Sequence, residues 1–184
     1  MEPHLAPSDK QMFYKYLDKC INYFEYGSGG STVQASIRPN IKSIISVESD
    51  IEWYNKIKNL VDNVHYIYND MNVKPNTWGH PGNNATSLQK INYSEHFKKL
   101  GKDSDLILID GRFRVACCLK CFDTMKDDCI MLFDDFLDRK YYHIVLNYFT
   151  IIEKTNDNRM VALKKKKDVK ISRDVISKYE LIAE

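Results

Sequence analysis

Hydrophobic positions along the chain switch between two periods, and the switches mark out its elements. Met12, Phe13, Tyr16 and Leu17 recur at helical spacing behind Ser8 and Gln11, a capping-box pair, and predict a helix over residues 8–19. A short apolar run predicts a strand at 21–26, which enters a glycine-rich turn. A helix at 31–37 is closed by Pro39, because the residue before a proline is pushed out of helical geometry. Strands at 43–48 and 64–68 flank a helix built on Ile51, Trp53, Tyr54, Ile57, Leu60 and Val61.

The rhythm breaks over residues 71–95, which hold Pro75, Trp78, Gly79, Pro81 and Gly82 among asparagines. A loop of this length in a compact domain is often a lid or a binding loop. Helical periodicity is visible again over 93–100. A continuous apolar strand at 105–109, a helix at 115–125, a strand at 129–133 and a helix at 141–148 follow. Segments 149–153 and 160–163 pair best as a hairpin around Asn156-Asp157-Asn158. Alternating strands and helices imply parallel strands with helices on both faces, and the closing hairpin adds one antiparallel strand. No repeat or linker interrupts the pattern, so residues 1–184 read as a single domain.

Composition narrows the setting. An apolar share of 43% in 184 residues suits one core. No apolar run reaches the ~18–20 residues needed to cross a bilayer. Residues 1–10 lack the apolar centre of a secretion signal, so an intracellular, cytoplasmic protein with no membrane partner is expected. The five cysteines lack zinc-type spacing and read as reduced, buried thiols. A net charge of +2 is too small to mark a nucleic-acid binder, with the lysine run 164–167 as the one local exception.

The chemistry gathers where strands end. Glu25-Tyr26-Gly27-Ser28-Gly29-Gly30 closes the first predicted strand and Glu48 the second. Asp70, Asp110 and the pair Asp134-Asp135 close the next three. In open α/β sheets, ligands bind beyond the carboxyl ends of the strands. A glycine turn lets backbone N–H groups approach a ligand, and an acid about 20 residues later suits ribose hydroxyls. A third glycine of a dinucleotide fingerprint would fall at Thr32, which argues against NAD.

This pattern resembles the class I S-adenosylmethionine-dependent methyltransferases, with Glu25 to Gly30 similar to their first motif and Val47-Glu48 to their second. The resemblance implies a Rossmann-like α/β sandwich with a seven-stranded, mostly parallel sheet and one antiparallel strand from the C-terminal hairpin. It implies S-adenosylmethionine as cofactor. The cofactor-binding set it implies is Glu25, Tyr26, Gly27, Ser28, Gly29, Ser31, Thr32, Glu48, Asn69 and Asp70. Ile109-Asp110-Gly111 and Phe133-Asp134-Asp135-Phe136 resemble the metal-dependent sugar O-methyltransferases of the macrocin type. That narrower likeness implies Asp110, Asp134 and Asp135 as ligands of Mg²⁺ or Mn²⁺, with Asp110 also as catalytic base. Arg112 and Phe113 stand where the macrocin type has an acid and a tyrosine.

The expected reaction is methylation of a sugar hydroxyl, free, glycan-borne or nucleotide-linked. Arg112 and Arg114 would clamp an anionic acceptor group, and Trp78 in the lid would exclude water. A homodimer is consistent with small enzymes of this kind. Three other readings stay open: a metal-independent small-molecule methyltransferase, a methyltransferase-like binding protein without catalysis, and a nucleic-acid methyltransferase. The last would need a continuous basic groove joining residues 164–167 to Arg112 and Arg114.

Overall fold

The sheet carries seven strands in the spatial order β3-β2-β1-β4-β5-β7-β6. The computed structural model describes residues 1–156 and 159–184. The strands are β1 (Asn22–Tyr26), β2 (Ser43–Glu48), β3 (His65–Tyr68), β4 (Leu106–Ile109), β5 (Ile130–Phe133), β6 (Phe149–Lys154) and β7 (Val161–Lys165). Five run parallel from β3 to β5, and β7 runs antiparallel to both β5 and β6. The Rossmann-like sandwich expected from the alternation is therefore present, closing hairpin included. Of the predicted turn 156–158, Asp157 and Asn158 lie outside the described residues.

Helices α1 (Pro7–Leu17), α2 (Gly30–Ser36), α3 (Ile51–Lys58), α4 (Ser87–Leu100), α5 (Arg114–Cys121) and α6 (Arg173–Tyr179) surround the sheet, with a 3₁₀ helix at Lys140–Asn147. Successive strand residues face opposite layers, so a strand covered on both sides is apolar throughout. Ile107 and Ile109 of β4 join Met131 and Phe133 of β5 in one core, while Leu106, Leu108 and Leu132 enter the other. The first core is the larger and is lined by α4 and α5. Three of its four thiols, Cys117, Cys118 and Cys121, are buried and unpaired, as the spacing suggested, and burial pushes all three well above the usual range.

Three boundaries differ from the sequence reading. The loop expected over 71–95 ends at Thr86, whose side chain accepts from Gln89 N at 3.2 Å while Gln89 Oε1 accepts from Thr86 N at 2.8 Å. That capping box starts α4 six residues before the periodicity becomes visible at Tyr93. The segment expected as a helix at 141–148 is 3₁₀ throughout, with Tyr142 and Val145 buried three residues apart, the repeat of that helix. Helix α6 was not anticipated. It begins at Ser172, which accepts from Val175 N at 3.4 Å, and leans Val175, Ile176 and Tyr179 on the larger core. Among the described residues no helix is long and apolar enough to cross a membrane.

Candidate functional site

The carboxyl ends of β1, β2 and β4 are drawn together by the glycine turn. Gly27 N donates to Val47 O at 2.9 Å, and its φ of +89° is one that side chains rarely adopt. A Cβ on Gly27 would stand 2.7 Å from Gly111 N and 2.8 Å from Asp110 C. The Asp110-Gly111 turn after β4 thus lies directly against the turn after β1. A Cβ on Gly29 would meet only the Trp53 ring, no closer than 3.6 Å, so this part of the turn has room that Gly27 lacks.

Glu48 fastens the turn to the end of β2. Its Oε2 accepts from Ser28 N at 3.1 Å and Ser28 Oγ at 2.8 Å; its Oε1 accepts from Ser49 N at 2.6 Å and Asp50 N at 2.8 Å. The residue is 6% exposed. Burial pushes its pKa up, and the four donors oppose the rise. Three donors are backbone amides fixed by the fold. Ser28 Oγ is the one that a side-chain rotation releases, and a ribose hydroxyl can take its place. Trp53 Nε1 donates to Ser28 O at 2.6 Å and steadies the turn from α3. This role of Trp53 was missed; its place early in a helix after an acid-ended strand was the available signal.

Several expected cofactor contacts face inward instead. Glu25 is fully buried, accepting from Tyr23 Oη at 2.7 Å, Ser46 Oγ at 2.7 Å and Thr32 Oγ1. Thr32 Oγ1 also accepts from Gly29 N at 2.9 Å, and Ser31 is buried beside it. Tyr26 donates to Ser94 O and accepts from Phe97 N, both at 3.0 Å. Glu25, Tyr26, Ser31 and Thr32 therefore brace β1, β2, α2 and α4 behind the cleft. Asn69 sits at the end of β3 with its amide nitrogen on Gln89 O at 3.0 Å and its oxygen 3.0 Å from His96 Nε2. Burial lowers the pKa of His96 to about 4, so the ring is neutral at pH 7. Asp70 is exposed and binds Tyr68 Oη and Asn72 N.

Asp110, Asp134 and Asp135 do converge, and the Arg114 guanidinium stands among them. Arg114 is 4% exposed. Its Nη2 lies 3.1 Å from Asp110 Oδ1, and its Nη1 lies 3.3 Å from Asp135 Oδ2 and 3.9 Å from Asp134 Oδ2. It also donates to three main-chain oxygens: Gly111 at 3.0 Å, Asp134 at 2.8 Å and Asp110 at 3.3 Å. Phe113, left-handed at φ 52°, turns the start of α5 so that Arg114 folds back over the strand ends. Asp135 additionally binds Arg139 Nη2 at 2.9 Å and Arg159 Nη2. Arg139 lies four residues after Asp135 and Arg159 twenty-four, and neither was expected here.

Their surroundings do not shift the three carboxylates alike. Burial pulls Asp135 up, but Arg114, Arg159 and Arg139 outweigh it and hold the group below the usual carboxylate range. Burial, then the charges of Asp110 and Asp135, push Asp134 up to about 8. Asp134 Oδ1 is buried with no hydrogen-bond partner. Burial also raises Asp110, and Arg114 limits the rise. The Asp110 side chain, 30% exposed, is the most accessible of the three. Among the described residues no group of three or more His, Cys, Asp or Glu is arranged to hold a metal ion. The trio expected as metal ligands does not fit a divalent ion in this arrangement, because a cation of the protein's own fills its centre.

Two other expectations find their places. Trp78 is 74% exposed, left-handed at φ 53°, with its ring 5.5 Å from that of His4. The next residue, Gly79, accepts from Ser49 Oγ at 3.1 Å, so this loop rests beside Glu48. The lysine run 164–167 lies at the far edge of the sheet. Antiparallel β7 places Val161 opposite Phe133 and Leu163 opposite Met131, so its lysines run toward the amino end of β5. Arg114, by contrast, is buried against Asp134, just past the carboxyl end of β5.

No family model matches the sequence, and no curated protein matches it. Solved structures do. A methyltransferase-like protein from Silicibacter pomeroyi is 25% identical over 100% of this chain and 98% of its own, with a TM-score of 0.84. The chain has the class I methyltransferase fold. An RNA methyltransferase from Salinibacter ruber, solved with S-adenosyl-L-homocysteine, matches with TM-score 0.53 at 12% identity, over 94% of this chain and 97% of its own. MycE methyltransferase from the mycinamycin biosynthetic pathway, solved with Mg, S-adenosylhomocysteine and mycinamycin VI, matches with TM-score 0.52 at 11% identity, over 91% of this chain and 51% of its own. These two likenesses extend to the fold alone.

Proposed function

We propose that the protein is an S-adenosylmethionine-dependent O-methyltransferase acting on a hydroxyl of a small molecule, with sugars as the leading class. The observation that carries this reading is the contact among three strand ends: the glycine turn, Glu48 hydrogen-bonded to it, and Asp110-Gly111 packed against it. Bound S-adenosylmethionine supplies a methyl group already activated on a sulfonium. The backbone at Gly27 to Gly29 receives the methionine portion, Glu48 takes the ribose hydroxyls, and Asn69 with Asp70 borders the adenine.

Methyl transfer then needs an acceptor oxygen held in line and relieved of its proton. Asp110 fits the second task. It stands one residue beyond β4 with its side chain part-exposed, and burial strengthens it as a proton acceptor while Arg114 opposes that rise. Arg112 supports an anionic group on the acceptor, as in a nucleotide-linked sugar: its Nε is buried with no hydrogen-bond partner. The separation of the lysine run from this cleft favours a small acceptor over a nucleic acid.

Calorimetry with S-adenosylhomocysteine tests the cofactor half. The wild-type protein is expected to bind, and Glu48→Ala to bind at least about tenfold more weakly through loss of a charge-assisted hydrogen bond to ribose. No binding by a folded wild-type sample would end the methyltransferase reading. A panel of sugars and nucleotide-linked sugars, assayed for S-adenosylhomocysteine release, tests the acceptor half.

A further inference from the structure

Arg114 is a fixed internal cation, and its position matters beyond the local hydrogen bonds. Its three guanidinium nitrogens reach main-chain oxygens from both β4 and β5, as well as the Asp110 and Asp135 carboxylates. The acceptor oxygens stand about 3 Å from nitrogen, as hydrogen bonding requires, whereas Mg²⁺ draws oxygen ligands to about 2.1 Å.

Charge points the same way. Asp110, Asp134 and Asp135 meet Arg114, Arg139 and Arg159, so carboxylates and guanidiniums are equal in number. Buried Asp9 of α1, which accepts from Met160 N at 3.2 Å, also acts on Asp134 and Arg159. A divalent ion would bring two further positive charges to a centre that the Arg114 guanidinium already occupies.

We propose that Arg114 takes the place of a divalent metal in this site: it is a positioning residue that gathers the strand-end carboxylates and aims Asp110 at the cleft, so the protein binds no metal there. The role of Asp110 as proton acceptor rests on the function proposed above, but the absence of metal binding does not.

Electron paramagnetic resonance of Mn²⁺ distinguishes the two, since it needs neither cofactor nor acceptor. Wild-type protein in excess should leave the signal of free Mn²⁺ undiminished, and Mn²⁺ should not shift its thermal midpoint. Arg114→Met keeps the apolar stem and removes the charge. It should take up Mn²⁺, with loss of the free-ion signal, and lose that uptake when Asp135→Asn is added. Arg114→Lys restores a cation and should again leave the signal intact. Stoichiometric Mn²⁺ uptake by the wild type, abolished by Asp135→Asn, would overturn the proposal. So would a folded Arg114→Met protein that takes up none. If Arg114→Met does not fold, the wild-type and Arg114→Lys titrations decide: uptake by either overturns the proposal, and uptake by neither supports it. Failure of S-adenosylhomocysteine binding would instead strike the proposed function and leave these results standing.

Discussion

Asp134 and Asp135 are adjacent in sequence and opposite in charge behaviour, because one faces the interior and the other faces arginines. Asp135 gathers Arg114, Arg139 and Arg159 and stays ionised. Asp134 has Arg114 only at 3.9 Å and keeps a proton up to about pH 8. The consequence for stability has a definite sign. An unfolded aspartate releases its proton near pH 4, whereas the folded chain retains this one to about 8. Between those values the native state binds more protons, so this group's contribution is full below about pH 4 and is lost as pH rises through about 8. Asp134→Asn, neutral at every pH, should flatten that part of the stability profile. Urea unfolding at about pH 5 and about pH 8 measures it; an unchanged slope in the variant would show that Asp134 is already ionised in the native protein.

At the level of elements, the glycine turn between β1 and α2 contains two glycines with different duties. Gly27 combines a positive φ with a backbone approach that leaves no space for a Cβ. Gly29 has space, bounded only by the Trp53 ring. Gly27→Ala should therefore separate β1 from β4 and lower the thermal midpoint, with a cost above the ~1 kcal/mol typical of conformational strain alone. Gly29→Ala should fold with little loss, yet weaken S-adenosylhomocysteine binding, since the added methyl enters the ligand's path. Thermal melts paired with calorimetry separate the two effects. Equal loss of stability in both variants would mean that the turn is uniformly structural. Helix α4 shows how much such local chemistry reveals from sequence. Thr86 and Gln89 are a capping box that sets the helix start, but the apolar spacing behind them is weak, and period alone delayed the helix to Tyr93.

Across the whole molecule, legibility follows range. Alternating period and a terminal hairpin leave few ways to arrange seven strands, so the sheet was readable before any coordinate. The convergence of Asp110, Asp134 and Asp135 was readable for the same reason, since acids at successive parallel strand ends must share one edge. What stands between them was not. Arg114 arrives there through a left-handed Phe113, and Arg159 through the antiparallel course of β7, neither of which a one-dimensional pattern records. The placement of the lysine run depends on the same antiparallel strand. Lys165 is tied to Asp127 at 2.8 Å and Lys166 to Leu146 O at 2.8 Å, whereas Lys164 and Lys167 are exposed. The double substitution Lys164→Glu, Lys167→Glu reverses the charge of this edge without touching those ties. If the acceptor is a small molecule bound at the carboxyl edge, methyl transfer should be unchanged at low and at high salt. A nucleic-acid acceptor tracked across both edges would instead lose affinity, most of all at low salt, because phosphate contacts dominate such binding.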